Sequence, residues 1–138
     1  MNKYITSCIA ICLTSHITFA KQPIPTACPN VSVIKSTPIT SAIEMFGTYL
    51  SYSNGKFDTS NYWIFTMGLI EAESESQAIM KANRIKQRLS GQPLPQQNNS
   101  NTEWSCQYSL PGEMAALAVT SDDMPSPVKV ARQLLRTN

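Results

Sequence analysis

Few residues of this sequence could carry out chemistry, and the most versatile of them stands near its N-terminus. The sequence contains one histidine, His16. The chain after residue 20 therefore lacks the usual general base of serine and cysteine hydrolases, the commonest metal ligand and the ordinary axial ligand of haem. Chemistry in that part of the chain would depend on cysteine, tyrosine, methionine or carboxylate side chains.

Residues 1–20 have the pattern of a secretory signal peptide. Lys3 supplies a positive charge, an apolar stretch follows, and Thr18 and Ala20 place small side chains at positions −3 and −1 of a cleavage site. The apolar stretch is shorter than the ~20 residues that a membrane-spanning helix needs. We therefore predict cleavage before Lys21 and export of the mature chain to the periplasm or beyond the cell, without a membrane span.

Cleavage would also remove Cys8 and Cys12 and leave Cys28 and Cys106 as the remaining cysteines. Because exported proteins fold in oxidising compartments, we predict a disulfide between these two. On the chain-entropy model, closing so long a loop stabilises a domain by about 4 kcal/mol. The alternative is a reactive or metal-binding thiol pair, but isolated cysteines without histidine or C-x-x-C spacing make poor zinc or redox sites.

Tyrosine is the best candidate to coordinate haem iron in a chain without histidine. Tyr49 and Tyr52 are three positions apart, so on a regular strand they point to opposite faces and cannot form one pocket. Tyr52 is the better candidate because it precedes a predicted turn at residues 54–55, at an exposed edge. The simpler interpretation is that both are amphipathic sheet residues. Trp63 and Trp104 are candidate binding anchors if they are exposed and core residues if they are buried.

The carboxylates do not indicate an active site. Glu71, Glu73 and Glu75 alternate before a predicted helix, where they complement its dipole, and Asp122 and Asp123 lie in a polar tail. The sequence has neither a nucleophile-elbow serine nor a glycine-rich phosphate loop. With 11 Lys or Arg, 9 Asp or Glu and a net charge of +2, it also lacks a dense basic run. We expect no enzyme, no metal site and no nucleic-acid partner.

The strands that would position these residues follow from apolar runs. Residues 43–53 and 62–70 are rich in β-branched and aromatic side chains, which predicts two strands. The first leads into Asn and Gly at 54–55, the dipeptide that most favours a tight hairpin turn. Residues 103–108 and 114–120, separated by a Pro-Gly turn, predict a second hairpin.

Helical periodicity is clearest in the middle of the chain. Apolar residues at spacings of three and four predict an amphipathic helix from about Ser74 to Ser90, with Ser74 as its N-cap. Residues 28–35 predict a short N-terminal helix, although a strand is also possible there. The fold class is therefore α+β: an antiparallel sheet of about four strands with one long helix on a face. This single domain spans residues 21–120, and residues 121–138 form a weakly helical or disordered tail that lies outside the core or loosely upon it.

Four short motifs carry a resemblance to a known family. They are Ala27-Cys28-Pro29-x-Val31-Ser32-x-Ile34, Trp63-x-Phe65-x-x-Gly68, Glu71-Ala72 before a helix with Ala78 and Ala82-Asn83, and Trp104-x-Cys106-x-Tyr108. In these motifs the chain resembles a family of small exported bacterial proteins of unknown function, some of which are named haemin-binding protein. The resemblance covers about residues 28–120 and leaves the tail as an addition. The resemblance implies an exported soluble protein with, at most, an association with haem. It assigns no haem-ligand residues to this chain.

Binding is the function that these observations favour. The main prediction is a small exported interaction protein that acts outside the cytoplasm on a protein, a surface or an apolar ligand and needs no cofactor. One alternative is a haemin-binding protein with Tyr49 or Tyr52 as the iron ligand. A further alternative is an inhibitor-like module that blocks an enzyme through a hairpin loop at residues 53–58, which would protrude with little contact to the core.

Overall fold

Two runs of three strands, separated by one helix and flanked by two others, form one antiparallel sheet. The computed structural model describes residues 21–99, 101–123 and 126–136, so the predicted signal peptide lies outside the described residues. The strands are β1 (Ser41–Met45), β2 (Thr48–Gly55), β3 (Trp63–Ile70), β4 (Gln96–Gln97), β5 (Glu103–Tyr108) and β6 (Ala115–Ser121). The helices are α1 (Val31–Ser36), α2 (Glu75–Ile85), which continues as a 3₁₀ turn (Lys86–Arg88), and α3 (Pro127–Arg136). The strands are paired in the order β1, β2, β3, β6, β5, β4.

The prediction of about four strands and one long helix is wrong, because the described ranges contain six strands and three α-helices. One of the additional strands arises where a single strand was predicted over residues 43–53. The chain reverses there at Phe46 and Gly47, whose φ values are 54° and 77°, and β1 pairs with β2 across this turn. Gly47 suits such a turn, but Phe46 does not indicate one, since phenylalanine rarely adopts a left-handed conformation.

The predicted hairpin turn at residues 54–55 is also wrong. Both residues belong to β2 and still pair with β3, and the connection to β3 runs over residues 56–62. Phe57 and Asp58 in this connection have φ values of 45° and 63°. The Phe57 ring is only 5% exposed. Burial of this ring, rather than the Asn-Gly preference, fixes where the chain reverses.

The predictions for the other strands and the central helix are confirmed. Residues 62–70 correspond to β3, and the second predicted hairpin corresponds to β5 and β6, which pair along their lengths. The Ser74 hydroxyl caps α2 by accepting the backbone N–H of Gln77 at 3.3 Å. The short N-terminal helix is α1 and has Asn30 as its N-cap.

Two hydrophobic cores cover the two faces of the sheet. On one face Trp63, Phe65 and Met67 of β3 pack against α1 and α2. On the other face the side chains that alternate with them, such as Ile64 of β3, pack against α3 together with Leu117 of β6. Because β3 lies in the middle of the sheet, nearly all of its side chains are buried.

The C-terminal tail completes the second core. Residues 127–136 form α3, and its Val130, Ala131 and Leu134 are buried against the sheet. The Ser126 hydroxyl accepts the N–H of Lys129 at 3.3 Å and so caps the helix. The helix expected in the tail is present as α3. The prediction that the tail lies outside the core or loosely upon it is wrong for α3, because three apolar residues on one side of it cover the second face of the sheet.

Candidate functional site

A disulfide fixes the chain before α1 to the sheet. Cys28 and Cys106 are bonded over a sequence separation of 78 residues, which confirms the predicted pairing. Cys106 is buried in β5, and Tyr108 of the same strand donates its hydroxyl to the carbonyl oxygen of Pro29 at 2.6 Å. Burial raises the pKa of Tyr108 above its ordinary value, so the hydroxyl remains a donor. A covalent bond and a buried hydrogen bond thus hold residues 28–29 on β5.

The residues before the disulfide are also bonded to the sheet. The side-chain amide of Gln22 donates to the carbonyl oxygen of Ser121 at 2.9 Å, and its oxygen accepts the backbone N–H of Tyr62 at 2.6 Å. The ammonium of Lys21 lies 2.6 Å from the carboxylate of Asp122. The N-terminal segment therefore runs across the ends of β3 and β6 in an ordered position.

Two exposed aliphatic side chains stand between prolines near this segment. The tripeptides are Pro23-Ile24-Pro25 and Pro93-Leu94-Pro95. Ile24 is 71% exposed and Leu94 is 77% exposed. Each proline fixes its own φ and restricts the residue before it, which stiffens the backbone at both side chains. The first tripeptide is further held by a hydrogen bond from the Asn61 amide to the carbonyl of Pro23, and pairing of β4 with β5 follows the second.

Two shallow grooves flank the disulfide. The first has a volume of about 230 Å³ and lies between residues 26–31 and residues 91–94, so that Leu94 forms part of its wall. The second has a volume of about 400 Å³ and lies between residues 26–30 and the polar residues 58–61. Cys28 contributes to both grooves. We call Ile24, Leu94 and residues 26–31 together the disulfide surface.

The predicted tyrosine ligands do not meet. Tyr49 is paired with Ile70, which belongs to the core under α2, whereas Tyr52 packs against the core under α3. The two rings therefore belong to opposite faces of the sheet. The expectation that Tyr52 lies at an exposed edge is wrong, because β2 is flanked by β1 and β3 and Tyr52 is half-buried.

The two tryptophans differ in their surroundings. Trp63 is fully buried in the core, and its indole N–H donates to the Thr59 hydroxyl at 2.9 Å. Trp104 lies on β5, opposite Thr120, and is half-buried. Neither tryptophan lines either groove. Trp63 is thus a core residue, and the four aromatic residues are not brought together at one site.

The lining of the two grooves does not fit haem. An iron ligand there would have to be a tyrosine, methionine or free thiol in the absence of histidine. The walls contain none of these among the described residues, and the sulfur of Cys28 is bonded to Cys106. Within residues 21–99, 101–123 and 126–136, no group of three Cys, His, Asp or Glu side chains is placed to hold a metal ion.

Ile24 and Leu94 are the residues that sequence reasoning missed. The signal was the repetition of an aliphatic residue between two prolines, at positions 23–25 and 93–95. The loop at residues 53–58, expected to protrude in an inhibitor-like module, is instead tied to the core because Ser53 and Phe57 are buried.

Comparison with known proteins gives one match. A family model described as a domain of unknown function (DUF4949) matches residues 27–133. No curated protein and no solved structure matches the chain. Among the residues described here, none of the helices has the length and apolar character needed to cross a bilayer.

The matched region extends beyond residue 120 and includes most of α3. The expectation that the tail is an addition to the family pattern is therefore wrong, in agreement with the packing of α3 against the sheet. Because the match covers well over half of the sequence, the chain belongs to the DUF4949 family of domains of unknown function.

Proposed function

We propose that the protein is an exported, non-catalytic binding module that docks on a partner protein through the disulfide surface. The observation that carries this proposal is the exposure of Ile24 and Leu94, at 71% and 77%, on backbone held by prolines. Apolar side chains of this size usually help to stabilise a fold only when they are buried. Burial against a partner would supply that stabilisation.

Rigidity favours this surface as a binding site. Binding loses free energy when flexible loops and side chains become ordered, so a surface ordered beforehand binds more tightly. The prolines, the Cys28–Cys106 bond and the hydrogen bond from Tyr108 to Pro29 hold the surface in one arrangement. Complete burial of one Ile or Leu side chain contributes about 1.5–3 kcal/mol, which corresponds to at least about a tenfold change in affinity.

The size of the grooves favours side chains of a protein as occupants. Pockets that enclose small molecules usually have volumes of about 300–1,000 Å³ and bury most of the ligand. The first groove, at about 230 Å³, is below this range, and the second, at about 400 Å³, is bordered by the polar residues 58–61 on an open surface. Each can accept a side chain or a short segment of a partner.

Export is part of the proposal. The leader pattern of residues 1–20 supports it, and a disulfide that closes a long loop fits an oxidising compartment. The lack of histidine after residue 20 supports binding rather than acid–base catalysis.

The test is affinity capture with variants that change only exposed side chains. The tagged protein, Ile24→Ser and Leu94→Ser would be compared with Met80→Ser, a matched control whose side chain is 59% exposed on α2. We expect a partner protein that binds the unchanged protein and Met80→Ser, and binds the other two variants at least about tenfold more weakly. Equal binding to all four proteins would contradict the proposal.

Association with haemin is the second candidate, and it rests only on the family resemblance. A titration of the protein with haemin, followed by absorbance, would test it alongside Tyr49→Phe and Tyr52→Phe. We expect no saturable binding, because neither groove offers an iron ligand. Saturable one-to-one binding with a spectral shift that one variant abolishes would replace the interaction module with a haem carrier.

A further inference from the structure

The turn between β1 and β2 exposes a phenylalanine. Phe46 is 89% exposed, which makes it the most exposed large apolar side chain of the described residues. Phe46 and Gly47 both have positive φ values, 54° and 77°, as in a type I′ hairpin turn. The turn is held on both sides by pairing of β1 with β2, and the Thr48 hydroxyl donates to the Met45 carbonyl at 2.8 Å.

This side chain does not help the domain to fold. A left-handed backbone conformation is unfavourable for residues with a bulky side chain. Hairpin turns of this type therefore prefer Asn or Gly at the position of Phe46. The ring gains little from packing because it is almost fully exposed. Asn in the same position would relieve the backbone strain without removing buried contacts. The ring is therefore best explained by a contact outside the domain.

Acidic side chains predominate in a hollow beside the tip. Gly47 and Thr48 line a surface hollow together with Glu71, Glu73 and Lys81. The ammonium of Lys81 donates to the backbone carbonyl of Glu71 at 2.7 Å. Glu44 is also exposed and lies two residues before Phe46 on β1. Three carboxylates and one ammonium thus lie near the turn that carries the exposed ring.

We propose that the β1–β2 tip is a second docking site, at which Phe46 inserts into an apolar pocket of a protein partner whose rim is rich in Lys or Arg. The site lies at the opposite edge of the sheet from β4, which follows Leu94, so it is separate from the disulfide surface. The carboxylates complement a basic rim. They repel an anionic membrane and the same acidic tip of a second copy.

Crosslinking from position 46 tests the proposal. The photoreactive residue p-benzoyl-phenylalanine would replace Phe46 in one protein and the exposed Val128 of α3 in a control. Both proteins would be made in the cells that produce the protein and irradiated in extracts of set salt concentration. We expect one protein adduct from position 46 that is absent from position 128 and that weakens as salt rises from about 0.05 M to about 0.5 M. No adduct, the same adduct from both positions, or an adduct of two copies of this chain would overturn the proposal.

The second measurement compares variants by their affinity for the crosslinked partner and by the stability of the protein alone in urea. We expect Phe46→Asn to weaken binding by about tenfold to a hundredfold. The same change should raise the urea midpoint of the protein by about 0.5 M because it relieves strain. Charge reversal at Glu71 and Glu73 to Lys should also weaken binding, whereas Val128→Ser, an exposed position on α3, should not change it. Weaker binding accompanied by a lower urea midpoint would overturn the proposal, since the ring would then have a structural role.

Vesicles distinguish a lipid surface from a protein. The protein and Phe46→Asn would be sedimented with vesicles of phosphatidylcholine, with and without anionic lipid. We expect neither protein to sediment with either vesicle. Sedimentation that depends on Phe46 would overturn the proposal and identify the tip as a membrane contact.

Discussion

Removal of the Cys28–Cys106 disulfide is expected to destabilise the domain strongly. The bond closes a loop with a sequence separation of 78 residues. For a loop of this length the chain-entropy relation gives about 15 cal/mol/K, or about 4.5 kcal/mol at 25 °C. Total stabilities of such domains are about 5–15 kcal/mol, so the bond accounts for a large part of the free energy of unfolding. The double variant Cys28→Ala/Cys106→Ala should be close to the limit of folding.

Urea unfolding followed by tryptophan fluorescence measures this loss. Trp63 is fully buried, so its emission reports unfolding of the core. With a slope of about 1.5 kcal/mol/M, the midpoint should fall by about 3 M. The reduced form of the unchanged protein is the control, because it lacks the bond but keeps the volume of both sulfurs. A fall of less than about 1 M in both proteins would refute the loop-closure argument.

Three further changes test separate contacts. Tyr108→Phe removes the donor to the Pro29 carbonyl and should lower the free energy of unfolding by about 1–2 kcal/mol, measured in urea. Leu134→Ala should lower it by about 2–5 kcal/mol, and an unchanged thermal midpoint would show that α3 is not part of the cooperative fold. Burial lowers the pKa of Lys86 below 10.5. Between its native and unfolded pKa values, the unfolded chain binds a proton that the native state lacks, so stability rises with pH there. Unfolding at several pH values should show this rise in the unchanged protein and a smaller one in Lys86→Met.

The parts of the fold that the sequence predicts are those in which several local signals agree. For α2, the apolar spacing, the Ser74 cap and the charges at its ends all indicate the same helix. The run at 62–70 predicts β3 because its side chains are apolar on both faces. The packing of the tail could have been predicted in the same way. Leu117 and Val119 of β6 alternate with small alanines, so their face of the sheet is apolar and has to be buried by another element.

The β1–β2 turn could not be predicted because Phe46, the first of its two central residues, does not favour it, although Gly47 does. Phe46 adopts a left-handed conformation only because the strands on either side of it pair. In the loop before β3, burial of Phe57 similarly outweighs the turn preference of residues 54–55. At the candidate site, the disulfide could be predicted because Cys28 and Cys106 are the cysteines that remain after residue 20. The exposure of Ile24 and Leu94 depends on which surface α1 and α2 leave uncovered, and local sequence does not contain that information.

The bonds of the N-terminal segment also set an order of events during synthesis. Gln22 bonds to Ser121 over a separation of 99 residues, and Cys28 has no disulfide partner until Cys106 has been made. A chain that stops before β5 therefore carries an unpaired thiol and an N-terminal segment without its contacts to Ser121 and Asp122. Such an incomplete chain remains open to thiol exchange and to proteolysis. Formation of the Cys28–Cys106 bond and of the Gln22–Ser121 hydrogen bond thus distinguishes molecules that contain β5 and β6 from those that do not.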